Sequence, residues 1–346
     1  MTGQARLNYA RIAPAWWVLF GALIIYPLSA NDFFVLQVGA YSLILGIIAL
    51  SLMILAGYGG MVSLAQMTVA GVAAYMVPIF GSNTQEVLGL GWSWWVVTPL
   101  AILIGAAFST FVGLIAVRTS GIYTIMITLA IAVSVFYFTR QNYDVFNGFT
   151  GFAGVGSPKV LGLDLRDPVP FYYLCLAVSG LFLSATIYGQ RTPYGLSLQA
   201  LRDNARRMAA LGFNVTAHRV YAFFLSGIVA ATGGVLLVLF NGRISPGTIG
   251  IDVAIDILVI AVVGGLRHPI GPFIGALAFV LLENFAIDLI DRERFNTVIG
   301  AAFLLVVLFS PDGLLGLWER LRPNIGARFG STIQPPSKGE ADDRLN

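Results

Sequence analysis

Apolar positions along this chain come in long blocks rather than in strict alternation. Runs of about 17–25 mostly apolar residues recur, each long enough to cross about 30 Å of hydrocarbon as a helix. We place ten predicted spans at roughly 14–30, 33–56, 62–80, 93–117, 121–139, 171–189, 219–240, 252–266, 269–290 and 295–310. The eighth is short and opens with Asp252 and Asp256, acids expected at the outer mouth. The third carries Gln66 and Thr68 and is a candidate for a broken helix, which a membrane tolerates where the freed backbone is buried in protein or lines a cavity. The pattern predicts an all-α, polytopic transmembrane helix bundle of about ten spans, with eight as the alternative. The membrane domain runs from 14 to 310, after a short polar N-terminus at 1–13 and before a tail at 311–346. That tail ends in a polar, Pro-containing stretch without the apolar content to fold.

Composition agrees with the pattern. The chain is 57% hydrophobic and 11% charged, against about a quarter charged in an ordinary soluble domain. The first apolar block continues to Ala30 without an A-x-A-like cleavage site, so it reads as a retained helix and not as a removable leader. Cys175 is the single cysteine, which excludes an internal disulfide, and its place in an apolar block reads as a buried thiol.

A net charge of +3 and a pI near 9.0 would by themselves suggest nucleic acid. The distribution of the charge points to the membrane instead. With the N-terminus cytoplasmic, ten spans leave only Arg140, Lys159, Arg166, Arg243, Arg292 and Arg294 outside, of 20 Lys and Arg in all. Basic residues gather on the cytoplasmic side of membrane proteins. An even number of spans with both termini cytoplasmic is therefore expected.

Two connecting segments are longer than a compact bundle needs. The outer one, 140–170, contains the Gly- and aromatic-rich "NYDVFNGFTGFAGVG". The inner one, 190–218, contains "SLQALRDNARRMAALGFNV", out of character with its apolar surroundings. Leu198, Leu201, Ala205, Met208 and Leu211 fall on one helical stripe, with Gln199, Asp203, Arg206 and Arg207 opposite. Ser197 is the expected N-cap and Gly212 the expected stop. A rod of about 21 Å is too short and too charged to span a bilayer. Three readings fit it: an interfacial helix on anionic headgroups, a docking helix for a soluble partner, or a nucleic-acid contact. No aromatic residue interleaves with its basic ones, which disfavours the last.

The same segment carries a resemblance. "ALRDNARRMAALGFNVTAHRVYAFFLSGIVAATGGVL" resembles the cytoplasmic coupling loop of ABC-importer permeases of the branched-chain amino-acid family, with Ala200, Arg202, Ala209 or Ala210, and Gly212 carrying the match. Four further blocks resemble the family in the same order: "GYGGMVSLAQMTVAGVAAY", "VRTSGIYTIMITLA", "VVGGLRHPIGPFIGALAFVLLE" and "FSPDGLLG". Together they run from about 57 to 316. Gln66 stands where the family often has His, and the outer Gly-rich loop matches only in part. The resemblance implies half of a transmembrane gate in a bacterial inner membrane. It implies separate ATPase subunits, a second homologous permease and a periplasmic solute-binding protein as partners. It also implies that 197–212 docks on the ATPase, with Leu198, Leu201 and Met208 filling a cleft or packing under the bundle and Arg202, Asp203, Arg206 and Arg207 fixing register. The implied solute is a branched-chain amino acid, with urea, short amides or small carboxylates as the alternatives.

Candidate chemistry of the chain's own is sparse. Its two lysines, Lys159 and Lys338, do not follow a phosphate-cradling G-x-x-x-x-G, so no cofactor is expected here and ATP falls to the partners. No metal-ligand spacing and no nucleophile motif occur, and His218 and His268 lie at predicted helix ends. A membrane-embedded enzyme is disfavoured. Ionisable groups within spans are functional candidates by default. Glu283, beside Asn284 in the ninth span, is the strongest, either lining a pathway or sitting near an interface. A self-sufficient ion-coupled transporter would use it, although it has no evident acidic partner. Ser63, Gln66, Thr68 and Thr128 are further pathway candidates, with helix packing the alternative. Ala70, Gly71, Ala73, Ala74, Gly275, Ala276 and Ala278 read as close helix contacts.

Overall fold

The computed structural model describes residues 21–289 except 22, 29, 84–88, 120, 157–158 and 161–162, together with 300, 313 and 314. The predicted first span lies largely, and the tenth almost wholly, outside these residues. The other eight all appear as helices. α1 (Phe34–Tyr58) is continuous, with wide π-type turns over Phe34–Ala40 and Ile54–Tyr58. After it come α2 (Gln66–Phe80), α3 (Trp94–Ala116), α4 (Ile122–Gln141), the single turn α5 (Tyr143–Phe146) and α6 (Pro168–Gly189). The second half contains α7 (Pro193–Asp203), α8 (Ala205–Ala210), α9 (Val215–Asn241), α10 (Ile251–Gly264) and α11 (Gly271–Leu289). Five of these, α1, α3, α4, α6 and α9, are long and apolar enough to cross a membrane, and α2 and α11 are shorter apolar helices.

Burial sorts the spans into a centre and a periphery. Over an apolar stretch of 18 residues in each, α1 is 78% buried and α9 67%, whereas α4 and α6 reach only 22% and 28%. α1 therefore supplies much of the core, including Ile44, Ile47, Ile48, Leu50, Leu52 and Met53. Lipid tails are as apolar as leucine, so burial alone does not draw such helices together. Close packing does, and the small residues serve it as expected. Gly234 of α9 lies against the backbone of Ala70 in α2, and Gly264 and Gly275 leave no room for a Cβ between α10 and α11.

The third span departs from its predicted limits. Helix α2 begins only at Gln66, and residues 61–65 are non-helical although mostly buried. Ser63 thus sits in irregular backbone. That backbone is tolerated because protein satisfies it. Met61 N donates to Leu55 O, Leu64 N to the Thr128 hydroxyl and Ala65 N to Ser63 Oγ.

Turns and loops gather at two ends. One end carries Gly57–Gly60, the arginine-rich segment 190–218 and the turn 265–271. At the other, Phe152–Ala153 (β1) pairs antiparallel with Arg243–Ile244 (β4), and Lys159–Val160 (β2) pairs with Leu163–Asp164 (β3). The outer Gly-rich loop is therefore partly ordered rather than a free connection. Cys175 is fully buried, as its position implied.

Candidate functional site

The arginine-rich segment is not the single helix that its stripe predicts. It is two helices meeting at Asn204, whose backbone is extended (φ −155°, ψ 91°). The physical reason is capping. Asn204 Oδ1 accepts from Arg207 N at 2.9 Å, starting α8 afresh, and an Asn side chain competes with helix continuation in this way. The N-cap expected at Ser197 is instead Thr192, whose hydroxyl accepts from Gly195 N at 3.2 Å, with Pro193 in the first turn. Ser197 lies inside α7 and donates to Tyr194 O. Gly212 does end the segment with a positive φ of 89°.

The two faces separate largely as the sequence suggests. Leu198, Leu201 and Met208 are buried, while Arg202, Asp203, Arg206, Arg207 and Ala209 are exposed and Ala200 is half-buried. Leu211 departs from the stripe and is 68% exposed, because it lies past the last residue of α8. Arg202 pairs with Asp203 at 3.0 Å and also donates to the main-chain carbonyl of Gly57, in the last turn of α1.

Other bonds fix the segment to the bundle. Tyr58 OH donates to Gln190 Oε1 at 2.7 Å, joining the ends of α1 and α6. Gln199 Nε2 donates to Gln190 O at 3.1 Å, and Tyr194 OH donates to His218 O at 2.9 Å, reaching α9. Burial raises the Tyr194 pKa above its ordinary value, with Tyr221 adding to it, so this hydroxyl stays a neutral donor. Gly57, Tyr58, Gln190 and Asn204 were not singled out by sequence reasoning. The cap-forming residue type was the visible signal for Asn204; the other three had none beyond lying in or beside matched blocks.

Ser63, Gln66 and Thr128 come together around the irregular turn before α2. Gln66 is 1% exposed, and its side chain meets Ser51 Oγ of α1 at 3.1 Å. The single Ser51 proton has a nearer acceptor in Ile48 O, at 2.6 Å. Turning the Gln66 amide over lets its Nε2–H donate to Ser51 Oγ and leaves that proton on Ile48 O. In either orientation one end of the amide has no hydrogen-bond partner among the described residues, and neither has the buried Thr68 hydroxyl.

Glu283 and Asn284 stand apart from that cluster, on α11. Asn284 donates back to Val280 O at 2.9 Å. Glu283 is half-buried, with Oε2 lacking a hydrogen-bond partner among the described residues. The acidic partner not evident in the sequence is Asp256 of α10, which lies within electrostatic reach of Glu283 and of Tyr41. Asp256 is half-buried, while Asp252 is exposed. Among the described residues, no group of three or more His, Cys, Asp or Glu side chains is placed to hold a metal ion.

Comparison with known proteins decides what this helical arrangement belongs to. Residues 34–308 match the family described as the branched-chain amino acid transport system permease component. The chain belongs to this family. It is 25% identical over 319 residues to the high-affinity branched-chain amino acid transport system permease protein LivM of Salmonella typhimurium, covering 85% of this chain and 69% of that protein. The LivH permease of the same organism is 24% identical over 282 residues, covering 78% and 90%. The ribose import permease protein RbsC of Haemophilus influenzae is 26% identical over 232 residues, covering 64% and 69%. No solved structure matches the chain. The chain is therefore a multi-pass membrane permease component, and its relatives are transport subunits rather than enzymes.

Proposed function

We propose that the chain forms half of the translocation pathway of an ABC importer in a bacterial inner membrane, with 190–218 on the cytoplasmic side and α7–α8 as the coupling element for separate ATPase subunits. The observation that carries this is the two-sided build of the segment. Leu198, Leu201 and Met208 bind it to the bundle, and Arg202 ties it to Gly57, while Arg206, Arg207 and Asp203 face outward for a partner. Movement imposed on α7 is thereby passed to α1, the most buried of the five long helices. Charge complementarity across such a contact fixes register more than it adds affinity.

Within this reading a second, homologous permease completes the channel, and a periplasmic binding protein delivers solute to the opposite end, around Tyr143, Phe149 and the β1–β4 pair. Ser63, Gln66, Thr68 and Thr128 are the pathway residues, and Glu283 and Asn284, the other two candidates, stand outside that cluster on a separate helix. Branched-chain amino acids are the solute favoured by the LivM and LivH relatives. Urea, short amides and small carboxylates remain the alternative class of cargo.

The test is co-purification in detergent with ATPase subunits encoded beside the chain. Arg206→Glu/Arg207→Glu, at two exposed positions, should release the ATPases while the permease elutes as a folded species. Retention of the ATPases by the double variant, or purification of the unaltered chain alone with ion-driven uptake in liposomes, would contradict the proposal.

A further inference from the structure

An apolar groove of about 380 Å³ opens at the arginine-rich end, between the last turns of α6, the start of α7, the first half of α9 and the end of α1. That volume falls in the range of about 300–1,000 Å³ usual for small-ligand pockets. Ile54, Phe182, Ala185, Leu198, Leu225 and Ile228 form its walls. Four of the five hydroxyls on its lining already donate elsewhere, Tyr58 to Gln190, Thr186 to Phe182 O, Thr192 to Gly189 O and Tyr194 to His218 O, and the fifth belongs to the exposed Tyr221 at its edge. A polar solute entering here would give up its hydration for hydrocarbon walls, which is unfavourable. The groove selects an apolar occupant.

Its surroundings say which one. Leu181 and Tyr188 of α6 and Tyr221 of α9 are exposed beside it, on spans that face a bilayer, so the mouth opens sideways into lipid. Tyrosines at this level mark the membrane interface. Arg191 lies between the lining residues Gln190 and Thr192 and is exposed. Between 190 and 219 the only acid is Asp203, already paired with Arg202. A cation placed at the rim of a membrane-facing apolar groove complements a lipid phosphate.

We infer that this groove binds one acyl chain of an anionic phospholipid, with the headgroup phosphate meeting Arg191. The occupant would pack on Leu198 and Tyr194, becoming part of what supports α7. The inference goes beyond the coupling role proposed above, and its readout is lipid contact, so it stands or falls separately from that role.

The full chain is reconstituted in nanodiscs of phosphatidylcholine containing a small fraction of phosphatidylglycerol with a diazirine at the acyl terminus. After photolysis the labelled peptides are mapped by mass spectrometry. Labelling should concentrate on 182–189 of α6 and 221–229 of α9. Ala185→Trp, which fills the groove, should lower it about tenfold, and Leu181→Trp, outside the lining on the same helix, should leave it unchanged. Leu225→Trp is the second filling variant should Ala185→Trp fail to elute as a single species. Arg191→Gln should remove the preference over the same probe built on phosphatidylcholine. Uniform labelling of all exposed spans, or undiminished labelling in both filled variants, would show an unselective lipid annulus and overturn the site. Equal labelling of the unaltered chain by both headgroups would overturn the role of Arg191.

Discussion

The guanidinium of Arg202 donates to the main-chain carbonyl of Gly57, joining a charged surface helix to the last turn of the most buried of the five long helices. A carbonyl in the final turn of a helix has no intrahelical donor, so the arginine supplies the missing one. A charge-assisted bond of this kind is worth about 1.5–3 kcal/mol when buried, and less here because the side chain is 40% exposed. Arg202→Gln is therefore expected to lower solute uptake in proteoliposomes about fivefold, equivalent to about 1 kcal/mol, with ATPase subunits still bound. Arg202→Lys should recover part of the loss. Full uptake by the Gln variant would show that the contact transmits nothing.

Gly60 faces the same arginine. Its φ is +66°, and a Cβ there would lie 2.6 Å from Arg202 Cγ. A left-handed conformation costs a non-glycine residue about 1–2 kcal/mol before any clash is counted. Gly60→Ala should lower the melting temperature and reduce uptake as Arg202→Gln does. Because the two positions touch, the double variant should be less impaired than independent effects would give. Additive losses would separate the two residues.

The break at Asn204 gives a local prediction. Asn204→Ala removes the cap of α8 at a cost of about 1 kcal/mol, and amide exchange of 205–210 should quicken. α7 has its own cap in Thr192, so exchange of 193–203 should hardly change. Asn204→Asp, which keeps the accepting oxygen, should behave as the unaltered chain. Equal quickening in both helices would mean that they open as one unit.

Glu283 and Asp256 place two acids near each other between α10 and α11, and Glu283 Oε2 has no donor among the described residues. Glu283→Gln removes one of two like charges, so it should raise the melting temperature. Uptake should persist in an ATP-driven permease. Loss of uptake with the ATPase still stimulated would make Glu283 part of the pathway instead.

The eight helices between 33 and 290 were legible because membrane proteins write their helices in long apolar runs. Their observed limits fall within a few residues of those read from hydropathy, and five are long and apolar enough to cross a membrane. What hydropathy could not show was backbone choice inside a run. Residues 61–65 are as apolar as a helix requires, yet the chain unwinds there because Thr128, distant in sequence, supplies a partner for Leu64 N. The charged segment failed in a different way. Its stripe was read as one helix through Asn204, although an Asn side chain can end one helix and start the next. The Asp256–Glu283 neighbourhood depends on how α10 packs on α11, which no local pattern encodes.

Gln66 tests whether the cluster before α2 is packing or pathway. Its amide holds Ser51 at one end and has no hydrogen-bond partner among the described residues at the other. If the side chain only fills space, Gln66→Leu removes a buried group that is half satisfied, which is close to neutral or stabilising. Melting temperature is then unchanged or higher, and uptake is kept. A pathway residue gives a different pair of results. The Leu variant keeps its stability but loses uptake by about tenfold or more, the scale of one lost polar contact to a solute. The second pair is the expected one. Gln66→His should then restore uptake, because imidazole also presents a donor and an acceptor. Ser51→Ala separates the two roles further. It removes the known partner of the amide without removing the amide, so it should cost stability while leaving uptake nearly intact. If Ser51→Ala and Gln66→Leu instead reduce uptake equally, the pair acts as a structural clasp between α1 and α2.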